Sequence, residues 1–271
     1  MSRVLWKGSI RFGLVLVPVG LHPAEQRKDI SFDLLDRRDH APIGYRKVNK
    51  VSGEEVPNDE IVKAYQRDDG TYVEMDPEDF EKASPEKSKT IDISTFVDMK
   101  EIPPPFFDSP YYLEPLQQGE KPYALLREAL RESGRAGVAQ FVLRTRGRLA
   151  VVFPDKDVLV LNLLRYAHEL REPRGLNLPA MELTSLGLSD KELKMALRLI
   201  DDLAGSWEPE KFKDEYRDEL LSLIEKKGQG IEVPSPGRSR GKAPGAKVTD
   251  LMSLLKRSVS DAEKQRRGKT A

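Results

Sequence analysis

Between Ile10 and Leu163 the apolar residues arrive in short runs of strand length, and this spacing limits the possible folds more than any other feature. Ile10, Phe12, Leu14 and Leu16 alternate with Arg11, Gly13, Val15 and Val17, the two-residue period of a strand with one buried face. Further strand-like runs cover 44–51, 71–75, 90–97, 137–144, 148–153 and 158–163. Several short strands at modest spacing predict a mainly β barrel or sandwich, because a doubly wound sheet would alternate strands with helices. One helix interrupts the series: over 122–133, Tyr123, Leu126 and Leu130 share a stripe, and Gly134 stops it.

From Ser189 the period changes. Ser189 and Glu192 have capping-box spacing, and Leu193, Leu197, Ile200 and Ala204 then recur at helical intervals. A second helix is expected from Glu208-Pro209, with Phe212, Tyr216, Leu220 and Leu223 on one face and an end at Lys226-Lys227-Gly228. In 228–247, five Gly, three Pro and two Ser make half of the twenty residues, the composition of a flexible linker. Thr249 then caps a last short helix of about ten residues with Leu251, Leu254, Leu255 and Val259 apolar, a length marginal in water without a partner. The chain ends in a polar, basic run over 264–269.

With 271 residues and 38% apolar content the chain can bury a sizeable core. No apolar run reaches the roughly 18 residues that span a bilayer. The stretch 12–21 imitates a secretory leader, but Pro18 interrupts it and His22-Pro23-Ala24 follows where a small-x-small cleavage site belongs. Cysteine is absent, which excludes disulfides and thiolate chemistry and suits a reducing cytoplasm. The 45 basic and 45 acidic residues balance, yet 238–271 carries ten Lys and Arg against three Asp and Glu, leaving 1–237 with 35 against 42. An acidic body with a basic tail must concentrate any nucleic-acid site in space.

Catalytic patterns are sparse. His22, His40 and His168 show no metal-ligand spacing, no phosphate-binding glycine loop or nucleophile elbow occurs, and acidic runs such as 76–81 read as solvated faces. No catalytic residue, metal or cofactor is expected. The informative cluster is Arg144-Thr145-Arg146-Gly147-Arg148, flanked by two apolar runs, with Gly147 available for a turn of positive φ. Such a hairpin either grips DNA phosphates without reading sequence or is a solvated turn. Arg46, Lys47 and Lys50 lie on a second candidate strand whose charges fit DNA contact or edge protection equally well. Lys7 and Arg11 alternate with apolar neighbours near the N-terminus and are candidates to face a channel.

The opening Trp6-Lys7-Gly8-Ser9-Ile10-Arg11-Phe12-Gly13-Leu14-Val15 resembles the N-terminal signature of the bacterial Ku family. The likeness continues in order through Gly44-Tyr45-Arg46-Lys47-Val48, Ser52-Gly53-Glu54-Glu55-Val56, Lys89-Thr90-Ile91-Asp92-Ile93, Tyr111-Tyr112-Leu113-Glu114-Pro115, the segments 123–130 and 164–171, and the tail element 248–258. The resemblance implies a Ku-type β-barrel core with an extended bridging arm over 1–187, a helical arm over 188–227, the linker 228–247 and a tail over 248–271. It also implies a homodimeric ring around double-stranded DNA ends, in which cations need only line the hole.

On this analogy Arg144 touches phosphate, and Arg46 and Lys47 are further contacts. Arg11 and Lys100 depart from the family pattern and either add contacts or merely cover the surface. The implied role is non-homologous end joining: loading at a break and stimulation of ATP-dependent DNA ligase D, with no covalent step by the chain itself, in the cytoplasm at the nucleoid. Asp250, Leu251, Met252, Leu254, Leu255 and Lys256 are the expected ligase contacts, and Lys264, Arg266, Arg267 and Lys269 the tail's DNA contacts; a merely solubilising tail is the bland alternative. A metal-dependent nuclease and a protein-only adaptor are the competing classes.

Overall fold

The structure is a computed structural model that describes residues 3–26, 28–83, 89–179, 182–229 and 251–268. It divides into two units, Met1–Glu172 and Pro173–Ala271. The first contains β1 (Trp6–Phe12), β2 (Val15–Pro23), β3 (Lys63–Gln66), β4 (Tyr72–Met75), α1 (Pro77–Lys82), β5 (Thr90–Asp98), β6 (Phe107–Pro115), α2 (Glu120–Ser133), β7 (Arg135–Leu143), β8 (Arg146–Asp155) and β9 (Val158–Leu164). Seven strands close into a barrel in the order β1-β2-β6-β9-β8-β7-β5. Every ladder is antiparallel except the closing seam, where β1 runs parallel to β5 with Ile10 beside Ile91. The expected mainly β barrel is therefore the fold.

The first apolar run is two strands, not one. A two-residue turn at Gly13-Leu14, with Gly13 at φ +59°, pairs Phe12 with Val15 and Ile10 with Val17. Cross-strand partners share a face, so the inward series continues through Val17, Val19 and Leu21, while Leu14 and Leu16 stand in solvent.

Inside the barrel Ile10, Val17, Ile91, Leu113, Phe141, Val152 and Leu161 pack with Tyr123, Leu126 and Leu130 from α2. Each such fully buried side chain contributes roughly 1.5–3 kcal/mol relative to exposure. The helix covers one barrel end. There the Tyr123 hydroxyl donates to the Leu113 carbonyl and accepts from the Leu159 N–H, both at 2.7 Å. Burial pushes the pKa of this phenol up. Gly134, at φ +64°, ends the helix as expected. On the outer wall Ala136, Val151 and Leu164 are covered by Met99, Ile102, Phe106 and Phe107, so β8 is apolar on both faces and reads as a continuous run. Arg165 fixes that cover by donating to the carbonyls of Pro105 and Phe107 and to the Asp108 carboxylate.

Between β2 and β5 the chain makes a long excursion in which no described residue from 28 to 83 is buried. The strand expected at 44–51 is not formed: only an isolated bridge, Val48 with Glu55, exists there, because no sheet lies alongside to satisfy a longer ladder. The excursion's regular structure is the β3–β4 pair and α1, and β3 and β6 are the strands missed in the sequence.

The second unit holds α3 (Asp190–Leu203), α4 (Glu215–Gly228) and α5 (Leu251–Gly268). Ser189 caps α3 as expected, with Glu192 N–H on its hydroxyl and Ser189 N–H on the Glu192 carboxylate. The second helix starts later than expected. Pro209–Lys211 form only a 3-10 turn, and α4 begins after Asp214, whose carboxylate accepts from the Arg217 N–H. Phe212 lies outside it and stacks on Trp207 at 5.2 Å. The last helix has 18 residues rather than about ten and packs against α3 of its own chain. Thr249 and residues 230–247 of the expected linker lie outside the described residues.

Candidate nucleic-acid interface

The three clustered arginines do meet at one hairpin. Leu143 pairs with Arg146, Val142 with Gly147 and Phe141 with Arg148, leaving Arg144-Thr145 as a two-residue loop. Gly147 does not supply the positive φ expected of it; it lies within the ladder, and Arg144 takes φ +63° instead. Of the other two-residue hairpins in the barrel, β1–β2 has Gly13 at the corresponding first loop position and β8–β9 has Lys156, also at positive φ. A non-glycine residue pays strain in that region, so the arginine at the tip costs stability that a glycine would spare.

Arg144 and Arg146 are exposed, whereas Arg148 is half-buried on the inward face beside Phe141. Its Nε is buried without a hydrogen-bond partner among the described residues. None of the three pairs with a carboxylate among the described residues. Their full positive charge remains available at one edge.

Strand directions place other residues relative to this tip. β1 and β5 begin, and β2, β7 and β9 end, at the barrel end opposite α2, so the long excursion leaves and re-enters the wall beside the arginine hairpin. Trp6 packs edge-on against Phe141 at 5.8 Å. Its indole covers Gly8, where a Cβ would lie 2.2 Å from the ring and 2.3 Å from the Lys89 carbonyl, which explains the Trp-Lys-Gly sequence by close approach. Lys7 and Arg11 share the outer wall of β1 because Ile10 and Phe12 face the core. Lys7 has no ion pair among the described residues, while Arg11 is bound to Asp92, which also accepts from Thr90.

Lys100 sits in the 3-10 turn after β5, at the other barrel end, and does not join the hairpin. On the excursion Arg46 pairs with Glu55 at 3.1 Å and Lys47 donates to the Asn58 side chain at 2.9 Å, while Lys50, at a turn, has no ion pair among the described residues. Sequence reading missed Lys63, whose ammonium lies 5.1 Å from the Phe80 ring centre. Lys63, Ile61, Met75 and Phe80 line a cleft whose other wall is Thr145, Arg146 and Gly147. Its short polar strand carried no apolar period to signal it.

In the second unit Met252 and Leu255 are half-buried, and Leu251, Leu254 and Lys256 are exposed. Lys264, Arg266 and Arg267 fall within α5; Asp250 and Lys269 lie outside the described residues. Among the described residues no group of His, Cys, Asp and Glu is arranged to hold a metal ion.

Seven strands close a barrel with a cationic hairpin at the root of the long excursion, and residues 11–195 match the family model described as the Ku70/Ku80 beta-barrel domain. The chain belongs to the Ku family. It is 44% identical over 98% of its length to the non-homologous end joining protein Ku of Cupriavidus necator, covering 80% of that protein. The Coxiella burnetii protein of the same name is 40% identical over 98% of this chain and 97% of the relative. That of Pseudomonas aeruginosa is 44% identical over 96% and 88%.

Proposed function

We propose that the chain acts in non-homologous end joining as a homodimeric ring that binds double-stranded DNA ends without reading sequence, performs no covalent step and recruits ATP-dependent DNA ligase D. One observation carries this reading. An excursion with no buried residue from 28 to 83, displaying Phe32, Leu34, Ile43, Tyr45 and Val51 to solvent, springs from the barrel end that presents Arg144, Arg146 and Lys7. A segment of that length without a core needs a second surface to order it, and a second copy supplies the same apolar arm by two-fold symmetry. Two arms then close a hole beside two arginine hairpins, and phosphate contact there positions DNA without fixing register. Domain limits of 1–187, 188–227, 228–247 and 248–271 and action at the cytoplasmic nucleoid belong to this reading. Among the described residues no helix is long and apolar enough to cross a membrane.

The test compares linear and covalently closed circular duplex of one sequence, with and without magnesium. Retention of the linear form alone supports a threaded ring. Equal retention of both forms overturns it, and magnesium-dependent scission replaces it with a nuclease.

A further inference from the structure

The cleft between the excursion and the arginine hairpin has a volume of about 1030 Å³, at the upper end of the roughly 300–1,000 Å³ of small-ligand sites. Its floor is apolar. Ile61, Met75 and Phe80 line it, and Phe80 keeps 45% of its surface exposed although it stands on a segment without a core to fill. Cross-strand pairing adds a second ring. Lys63 lies opposite Met75 and Tyr65 opposite Val73, so the four side chains share one face of the β3–β4 pair. Lys63 and Met75 line the cleft, and Tyr65, 66% exposed, continues the same face out of it. Cations stand among the rings: the Lys63 ammonium is 5.1 Å from the Phe80 ring centre, and Arg146 belongs to the opposite wall. Neither has an ion pair among the described residues. Asp59, Asp76 and Glu81 add carboxylates to the lining.

We propose that this cleft binds an unpaired nucleotide from the single-stranded overhang of a DNA end. The proposal rests on the end-binding reading above and deepens it, because Arg146 is at once a wall of the cleft and part of the hairpin read as a phosphate contact. Aromatic rings interleaved with cations suit a single strand: a base stacks on a ring while its phosphates meet the ammonium and guanidinium groups. A base paired and stacked within a duplex has no free face to offer, so the duplex stays outside and only an unpaired nucleotide enters. The three carboxylates set the nucleotide's direction. They repel phosphate, which stays at Lys63 and Arg146, and they accept hydrogen bonds from the exocyclic amino groups of adenine, cytosine and guanine. Thymine carries no such group and binds more weakly. An apolar peptide would cover the floor but leave both cations facing it without a counter-charge.

The experiment measures, by fluorescence anisotropy, binding of the full-length protein to a blunt duplex and to the same duplex carrying a short overhang of cytosine or of thymine. The emission of 2-aminopurine at the first unpaired position is followed in parallel. The cytosine overhang should tighten binding over the blunt end by about fivefold or more, the lower end of what one base stacked on an aromatic ring contributes. The thymine overhang should gain less, and the 2-aminopurine emission should change on binding. Phe80→Leu and Tyr65→Leu, at exposed positions and with thermal midpoints verifying the fold, should abolish the overhang advantage and keep the affinity for blunt duplex. Lys63→Gln should reduce the salt slope for overhang DNA alone by about 0.7, one single-strand phosphate contact, whereas Arg146→Gln should weaken binding to both ends. Equal affinity of the wild type for blunt and overhang DNA, with unchanged 2-aminopurine emission, overturns the cleft proposal and leaves the end-binding reading standing. No retention of any linear duplex brings down that reading as well. If Phe80→Leu keeps the overhang advantage but shifts the monomer–dimer balance in sedimentation, the cleft seats a second copy of the chain and the nucleotide proposal is overturned.

Discussion

Arg148 stands directly across the β7–β8 ladder from Phe141, so a guanidinium stem lies on the same inward face as a core aromatic, with its Nε buried and without a hydrogen-bond partner among the described residues. A desolvated donor without a partner costs stability, and Arg148→Met keeps the apolar stem while removing that donor. The thermal midpoint should stay level or rise. Binding to linear duplex should weaken, and the slope of log K against log salt should shrink by about 0.9 if one phosphate contact is lost. An unchanged slope removes Arg148 from the interface.

The positive φ of Arg144 separates strain from charge at the hairpin tip. Arg144→Gly removes both the guanidinium and the strain, whereas Arg144→Ala removes the guanidinium alone. Urea unfolding should show the glycine variant more stable than the alanine variant by about 0.5–1 kcal/mol. Both should lose the same DNA affinity, equally across sequences.

Tyr123 joins α2 to two strands through one hydroxyl. Tyr123→Phe strands the Leu159 N–H and the Leu113 carbonyl in a dry setting and should cost about 1–3 kcal/mol. Calorimetry of the variant would check this, with a fall of about 2–4 °C per kcal/mol expected for a chain of this size.

At the start of α3 the Ser189 backbone N–H, helped by its hydroxyl, holds the Glu192 carboxylate below its ordinary pKa. A carboxyl depressed by folding stabilises the fold above its unfolded pKa, and this support is lost as pH falls through the folded value. Glu192→Gln should therefore flatten the acid limb of the helical circular-dichroism signal while changing it little at neutral pH. A variant that tracks the wild type throughout the acid titration would show the cap to be unimportant.

No residue of the excursion from 28 to 83 is fully buried in its own chain, so its protection should follow mass action. Hydrogen exchange in this segment should slow as protein concentration rises through the dimer constant, with barrel amides such as that of Val152 unaffected. Concentration-independent exchange would mean that the arms do not pair.

Where the apolar pattern was decided by neighbours close in sequence, the chain was legible. Tyr123, Leu126 and Leu130 before Gly134 marked α2, Ser189 with Glu192 marked α3, and the arginine cluster marked a hairpin. Errors arose where pairing or packing chose between equivalent local readings. Leu14 and Leu16 alternate as well as Val15 and Val17 do, and only the turn at Gly13 determines which pair turns inward. Leu193, Leu197 and Ile200 keep perfect helical spacing yet remain exposed, because α5 settles on the neighbouring face. Arg46 and Lys47 looked like a strand because alternation does not reveal whether a neighbouring strand exists. The unpaired Arg148 Nε had no signal in sequence, since its burial depends on register with Phe141.

The parallel seam between β1 and β5 has a mechanical consequence. A hairpin can link antiparallel neighbours in two residues, but parallel neighbours must be joined by chain that travels away and returns. In this barrel β2 is that return path: it ends at the rim where β5 begins, so the seam itself asks only for a short step past the start of β1. The overhang between Pro23 and Thr90 is thus far longer than closing the cylinder demands, and the surplus on one rim is raw material for embracing something larger than the domain itself.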